Sequence, residues 1–173
     1  MKIIIMYATK YGTTRTCAEL LSKCLKNQDV TLMHIGKGGQ KIPDISDYDI
    51  VVFGSNVRMN KIDGELSEYL KKNKDMLIKR KCAYFLCCGF TDCFEDYLYK
   101  NIPEELIESS LSVSCFGGRI DPSAARGMDK LILSAVRSNI LGGGQNGQGR
   151  EDISLPTVME NNISQFADRI LGK

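Results

Sequence analysis

The residues whose types and spacing are best suited to chemistry form one run: Thr9, Lys10, Tyr11, Gly12, Thr13 and Thr14. The run follows the apolar stretch Lys2 to Ala8 and precedes a helical pattern reaching about Lys26. Thr13 or Thr14 is expected to cap that helix. Threonine hydroxyls, unshared backbone N–H groups and the positive end of a helix dipole then converge on one spot, which favours a phosphate. An ordinary capped helix would use the same residue types, since threonine and glycine suit any strand-to-helix turn.

The turn lacks the Gly-x-Gly-x-x-Gly spacing of a dinucleotide fold and the Gly-Lys-Ser/Thr ending of a nucleoside-triphosphate loop. A Thr-x-Tyr-Gly-x-Thr turn instead suits a terminal monophosphate such as that of FMN. Two further groups follow apolar runs. Ser55, Asn56, Val57, Arg58 and Met59 follow Tyr48 to Gly54, and Cys88, Gly89 and Phe90 follow Cys82 to Cys87.

The other reactive residues point less clearly to a site. Seven cysteines, at 17, 24, 82, 87, 88, 93 and 115, are odd in number and fall mostly within predicted strands and helices, as reduced buried thiols would. The run from Cys82 to Cys93 lacks the Cys-x2-Cys hairpin that metal and iron–sulfur sites favour, so no metal site is expected. The one histidine, His34, excludes multi-histidine metal chemistry and is expected to be structural.

These groups must be positioned by a chain of 173 residues, long enough for one domain with a substantial core, so residues 1–173 are read as one unit. With 43% hydrophobic and 25% charged residues the composition is that of an ordinary globular protein. No apolar run approaches the roughly 20 residues of a membrane-spanning helix, and no signal-peptide pattern is present, so a cytoplasmic protein is expected. The net charge of +2 is too mild and too evenly spread to suggest nucleic acid.

Near-continuous apolar runs at Lys2–Ala8, Tyr48–Ser55 and Cys82–Gly89 read as strands buried on both faces, and Leu111–Gly118 closes the series as a fifth strand. Asp29–Ile35 alternates, as an edge strand would. Gly36 to Pro43 is a glycine-rich basic connection. Helical spacing covers Ile62–Lys74, Phe94–Tyr99 and Glu104–Glu108, with Pro103 between the last two, and a final helix from about Pro156 to Leu171. The alternation predicts an α/β fold with a doubly wound five-stranded parallel sheet in the order 2-1-3-4-5. Pro122 to Glu151 is an insertion before the last helix, comprising an amphipathic helix to Leu141 and the glycine-rich run Gly142 to Gly149.

In such a sheet ligands bind beyond the carboxyl ends of the strands, where the order reverses. There the sequence resembles the flavodoxin family, whose phosphate turn is Ser/Thr-x-Thr-Gly-x-Thr, departing from it at Tyr11. It is closest to flavodoxin-like proteins of the menaquinone-dependent protoporphyrinogen IX dehydrogenase type. These carry a Ser/Thr-x-Asp-Gly-x-Thr turn, a Gly-x-Ser-Ile-Arg-like segment matched here by Gly54 to Arg58, and an insertion before the last helix.

The resemblance implies FMN, with its phosphate on Thr9 to Thr14 and its isoalloxazine ring between Asn56–Met59 and Gly89–Phe90. Phe90 would stack on the ring or serve as a core phenylalanine at a strand end. Arg58 would stabilise the reduced anionic flavin and raise its potential, or stand as a solvated loop arginine. Two functions follow. One is an oxidoreductase taking two electrons from an organic substrate such as a porphyrinogen, or passing them to a quinone. The other is a one-electron carrier between redox proteins. Such carriers tend to be strongly acidic, and 23 lysines and arginines against 21 aspartates and glutamates favour the first. The inserted helix would form a lid, a docking site or a peripheral membrane contact, or simply pack against the body.

Overall fold

The structure, a computed structural model, describes residues 1–36, 40–118 and 157–173. Strands β1 (Lys2–Ala8), β2 (Asp29–His34), β3 (Ile50–Asn56), β4 (Cys82–Cys87) and β5 (Ser112–Cys115) form one sheet in the order β2-β1-β3-β4-β5. Every neighbouring pair is parallel. The described helices are α1 (Thr13–Cys24), α2 (Gly64–Lys72), α3 (Lys74–Leu77), α4 (Phe94–Asn101), α5 (Glu104–Glu108) and α6 (Glu160–Ile170).

Alternate residues of each strand point to opposite faces, so the unbroken apolar runs feed two cores. Ile3, Ile5, Val52 and Phe85 pack with Cys17 and Leu21 of α1 and with Phe166 and Ile170 of α6. Ile4, Met6, Val51, Phe53 and Tyr84 pack with Leu66 and Leu70 of α2, Leu98 of α4 and Leu106 of α5. β2 is less buried, as the alternation of its sequence requires of an edge strand, and His34 lies against the Tyr7 ring at 5.6 Å.

Several elements depart from the sequence reading: the fifth strand is shorter than Leu111–Gly118, running Ser112–Cys115, and α4 continues past Tyr99 to Asn101. The helix expected at Ile62–Lys74 starts at Gly64, because the Asp63 side chain accepts hydrogen bonds from the Glu65 and Leu66 amides, and Asn73 divides it from α3. The first helix ends at Cys24 instead of Lys26. The last helix starts at Glu160; Thr157 to Met159 precede it, with Val158 in an antiparallel bridge to Gly117. Pro156, the insertion at 122–151 and residues 37–39 of the Gly36–Pro43 connection lie outside the described residues. No helix among the described residues is long and apolar enough to cross a membrane.

A Cβ added at Gly54, in the middle of the sheet, would lie 2.0 Å from the Phe85 ring. That ring stacks on Phe116 at 4.4 Å, and both meet Phe166 edge-on. Gly54→Ala is expected to destabilise the fold by roughly 1–3 kcal/mol, the usual cost of overpacking. Phe85→Leu in the same chain should restore part of the loss in urea unfolding; equal, additive losses would show that the two residues do not compete for this space.

Candidate functional site

The carboxyl ends of β1, β3 and β4 carry the three groups singled out in the sequence. β1 leads into a turn whose pivot is Gly12, in a left-handed conformation with φ of 89°. A glycine adopts it without the steric penalty of a side chain. Gly12, and not Thr13 or Thr14, is the N-cap of α1, and no side chain caps the helix. The cap expectation fails because Thr14 faces inward, fully buried, while the Gly12 amide donates to the Thr9 hydroxyl at 3.0 Å.

This arrangement leaves a set of donors at the turn. The backbone bond from the Thr16 amide to the Gly12 carbonyl, at 3.0 Å, closes the first turn of α1. The amides of Thr13, Thr14 and Arg15 precede it and have no acceptor within the helix. Thr9 accepts from Gly12 and so keeps its own hydroxyl proton to donate. Thr14 Oγ1 is buried with no nitrogen or oxygen partner; the group that bears on it is the Cys87 thiol, a weak partner. Cys17 and burial together push the Cys87 thiol well above the ordinary range, so that thiol stays protonated. Tyr84 Oη and Ser112 Oγ are also buried without partners, but both belong to the strands and not to a loop at this end. A Cβ at Gly12 would meet nothing within 4 Å, so the space over the turn is open. Tyr11 does not replace the missing hydroxyl with its phenol in an obvious way: its ring is exposed and lies 5.2 Å under the Lys10 ammonium.

The group after β3 is a tight hairpin. The Arg58 amide donates to the Lys61 carbonyl at 2.8 Å and the Lys61 amide to the Arg58 carbonyl at 3.0 Å. Met59 and Asn60 between them have φ of 50° and 61°, the only non-glycine residues with positive φ among those described. Asparagine tolerates that conformation; methionine is strained in it. Buried Asn101 of α4 holds the hairpin from below. Its Oδ1 accepts from the Ile62 amide at 3.1 Å, and its Nδ2 donates to the Asn60 carbonyl at 3.0 Å and the Tyr97 carbonyl at 2.8 Å. Ser55 Oγ accepts from the Asp63 amide at 3.1 Å and donates to the Asn56 carbonyl.

Between the first turn and this hairpin lies a cavity of about 600 Å³, within the range of small-molecule sites. Thr9, Lys10, Asn56, Arg58 and Met59 line it, as the sequence groups them, together with Lys61 and Asp63. Cys88, Gly89 and Phe90 do not. Phe90 is 49% exposed at the far side, so it is no core residue, and Met59 is 62% exposed on the hairpin. The side chains of Ser55 and Cys88 turn into the protein, and that of Val57 is half-buried. Ser55 serves the hairpin, Val57 packs on the α2 side of the core, and the Cys88 sulfur meets that of Cys115.

Sequence reasoning missed Asn101, Asp63 and the Met59–Asn60 turn. Asp63-Gly64-Glu65 is a readable cap, and Asn60 is a turn residue, but nothing in the sequence ties Asn101 to a hairpin some forty residues earlier.

The sequence model of the family described as "Flavodoxin domain" matches residues 4–146. No curated protein sequence matches the chain. Among solved structures, a flavodoxin 1 from Bacillus cereus is similar at 12% identity and a TM-score of 0.53, over 99% of this chain and 98% of that one. A flavodoxin from Streptococcus pneumoniae TIGR4 gives 13%, 0.53, 99% and 99%. A flavo di-iron protein from Thermotoga maritima gives 14% and 0.57, over 99% of this chain and 35% of that one.

Removing the hairpin's support should be measurable. Asn101→Ala leaves the Ile62 amide and the Asn60 carbonyl without their buried partner and is expected to cost about 1–3 kcal/mol in urea unfolding. Amide exchange should accelerate first at Arg58 and Lys61; unchanged protection there would mean that the hairpin stands without Asn101.

Proposed function

We propose that this chain, which belongs to the flavodoxin domain family, binds FMN at the carboxyl ends of β1, β3 and β4 and transfers electrons through it, in two-electron steps with an organic substrate. The observation that carries the reading is the buried, unsatisfied Thr14 hydroxyl beside the open amino-terminal turn of α1. A buried hydroxyl whose one neighbour is a weak thiol partner costs stability, and a ligand that supplies a stronger acceptor would offset that cost. A phosphate does so, and the helix dipole and the Thr13, Thr14 and Arg15 amides suit the same charge.

When bound, FMN supplies the redox chemistry, and the protein supplies binding, orientation and electrostatics. The Thr9 and Thr14 hydroxyls would hold the phosphate. The Asn56–Met59 hairpin on one side and Gly89–Phe90 on the other offer two exposed apolar side chains, Met59 and Phe90, that a flat ring would cover. Arg58 lines the cavity wall and would favour negative charge there. Lys10 and Lys61 stand on the same wall, which suits a substrate bearing carboxylates, such as a porphyrinogen, or an electron-accepting quinone. The even balance of 23 basic and 21 acidic residues gives no strong field for steering onto a basic redox protein, which is why a one-electron carrier is the second reading and not the first. A cytoplasmic setting fits either.

Thr14→Val tests the phosphate site with opposite signs in two assays. FMN affinity should fall by about 10- to 100-fold, in line with the roughly 1.5–3 kcal/mol of a hydrogen bond to a charged group. Riboflavin affinity and the stability of the ligand-free protein should stay level or improve. Equal FMN affinity in both proteins would remove Thr14 from the site.

Arg58→Ala should lower the midpoint potential of bound FMN while leaving FMN bound, and an unchanged potential would leave Arg58 without a role. Reductive titration then separates the two readings: uptake of both electrons in one step supports the enzyme, whereas two well-separated steps support the carrier.

A further inference from the structure

Under the Gly89–Phe90 loop the sulfurs of Cys88 and Cys115 lie 3.4 Å apart. Parallel pairing of β4 with β5 puts Cys115 opposite Leu86. Cys88, two residues further on, therefore shares its face of the sheet. The contact is held from several sides. The Gly117 amide donates to the Cys115 sulfur at 3.4 Å, Asn162 Nδ2 donates to the Cys115 carbonyl at 2.8 Å, and a Cβ at Gly118 would press on the Cys88 carbonyl carbon at 2.9 Å. Both are nearly buried, at 3% and 8% exposure.

We propose that Cys88 and Cys115 are a redox-active dithiol that closes to an intramolecular disulfide by exchange with a small disulfide substrate. The two thiols have divided the roles such a reaction needs. The Cys88 hydrogen bond, aided by the Gly117 amide, draws the Cys115 thiol below its ordinary range, whereas the same contact and burial drive Cys88 upward. The Gly117 amide, which donates to the Cys115 sulfur, favours Cys115 as the thiolate and Cys88 as the thiol that keeps its proton.

In the first exchange the Cys115 thiolate attacks one sulfur of R–S–S–R, forming Cys115–S–S–R and releasing RS⁻. In the second, Cys88 gives up its proton and attacks the Cys115 sulfur, forming the Cys88–Cys115 bond and releasing a second RS⁻. The protein loses two electrons and the protons of both thiols; the substrate leaves as two RSH. The second step starts at 3.4 Å, already a near-attack separation, and ends near the 2.05 Å of a disulfide. Crowding around Cys115 slows the first step and favours expulsion of the second RS⁻. Cys93, half-buried on the same loop, is the competing partner.

The full chain, reduced and free of added FMN, is exposed to oxidised glutathione and mapped by peptide mass spectrometry, in a Cys24→Ser background because Cys24 is exposed. The expected product has lost two hydrogen atoms, joins the peptides of Cys88 and Cys115, carries no glutathione on either, and reverts with dithiothreitol. Cys93→Ser should keep it, whereas Cys88→Ser and Cys115→Ser should trap or lose the glutathione adduct, with Cys88→Ala and circular dichroism guarding against misfolding. A stable glutathione adduct on wild-type Cys115, a Cys88–Cys93 or Cys17–Cys87 crosslink in its place, or no reaction of the folded chain would overturn the proposal. None of these outcomes touches the FMN reading, since no flavin is present.

Discussion

The register that sets Ala8 of β1 beside Ser55 of β3 is the constraint on which the rest of the structure depends. It brings the turn after β1 and the hairpin after β3 to the same edge of the sheet, and the cavity between them is a consequence. The neighbouring register, which sets Gly54 of β3 beside Phe85 of β4, is possible only because Gly54 has no side chain. The Phe85 ring occupies the space where a Cβ would be and carries the contact onward to Phe116 and Phe166. One absent side chain in β3 thereby links the position of the candidate site to the docking of α6.

The hairpin itself behaves as a rigid arm. Its left-handed Met59 and Asn60 are a conformation that an unsupported loop would escape. Asn101 below, Ser55 behind and Asp63 at the start of α2 hold it. Gly36 completes the set, since a Cβ there would lie 2.8 Å from the Asp63 carboxylate. Residues from β2's end, β3, α2 and α4 thus converge on a turn of four residues. Such concentration of support belongs to sites where a backbone must be held in place.

The fold was legible because its strongest signals are periodic. Buried parallel strands read as apolar runs, and β2, exposed along part of its length, reads as an alternation. The strand order follows from that pattern. What was not legible depends on side-chain direction at strand ends, where periodicity stops. Ser55, Val57 and Cys88 belong to the right loops, but Ser55 and Cys88 turn inward and Val57 is half-buried. Gly12 took the cap from Thr13 and Thr14 because a left-handed residue lets Thr9 satisfy the turn from the other side. Asn101 carries no sequence signal, since a lone asparagine at a helix end has many uses.

The two ends of the sheet differ in how fully their polar groups are satisfied, and the difference has a physical meaning. At the amino end the Lys2 amide donates to the Asp49 carboxylate, the Asp29 amide to the Met1 carbonyl, and the Arg80 guanidinium to the carbonyls of Ile45 and Tyr48. Ser112 Oγ and Tyr84 Oη are exceptions there. At the carboxyl end lie an inward threonine without a nitrogen or oxygen partner, a methionine held in the left-handed region, and two thiols pressed together. Valine would fill the site of Thr14 without stranding a hydroxyl, glycine would relax position 59, and alanine would separate the sulfurs. Stability alone favours none of the residues present. The carboxyl end thus carries the unsatisfied and strained groups, which is where a bound ligand would stabilise the chain most.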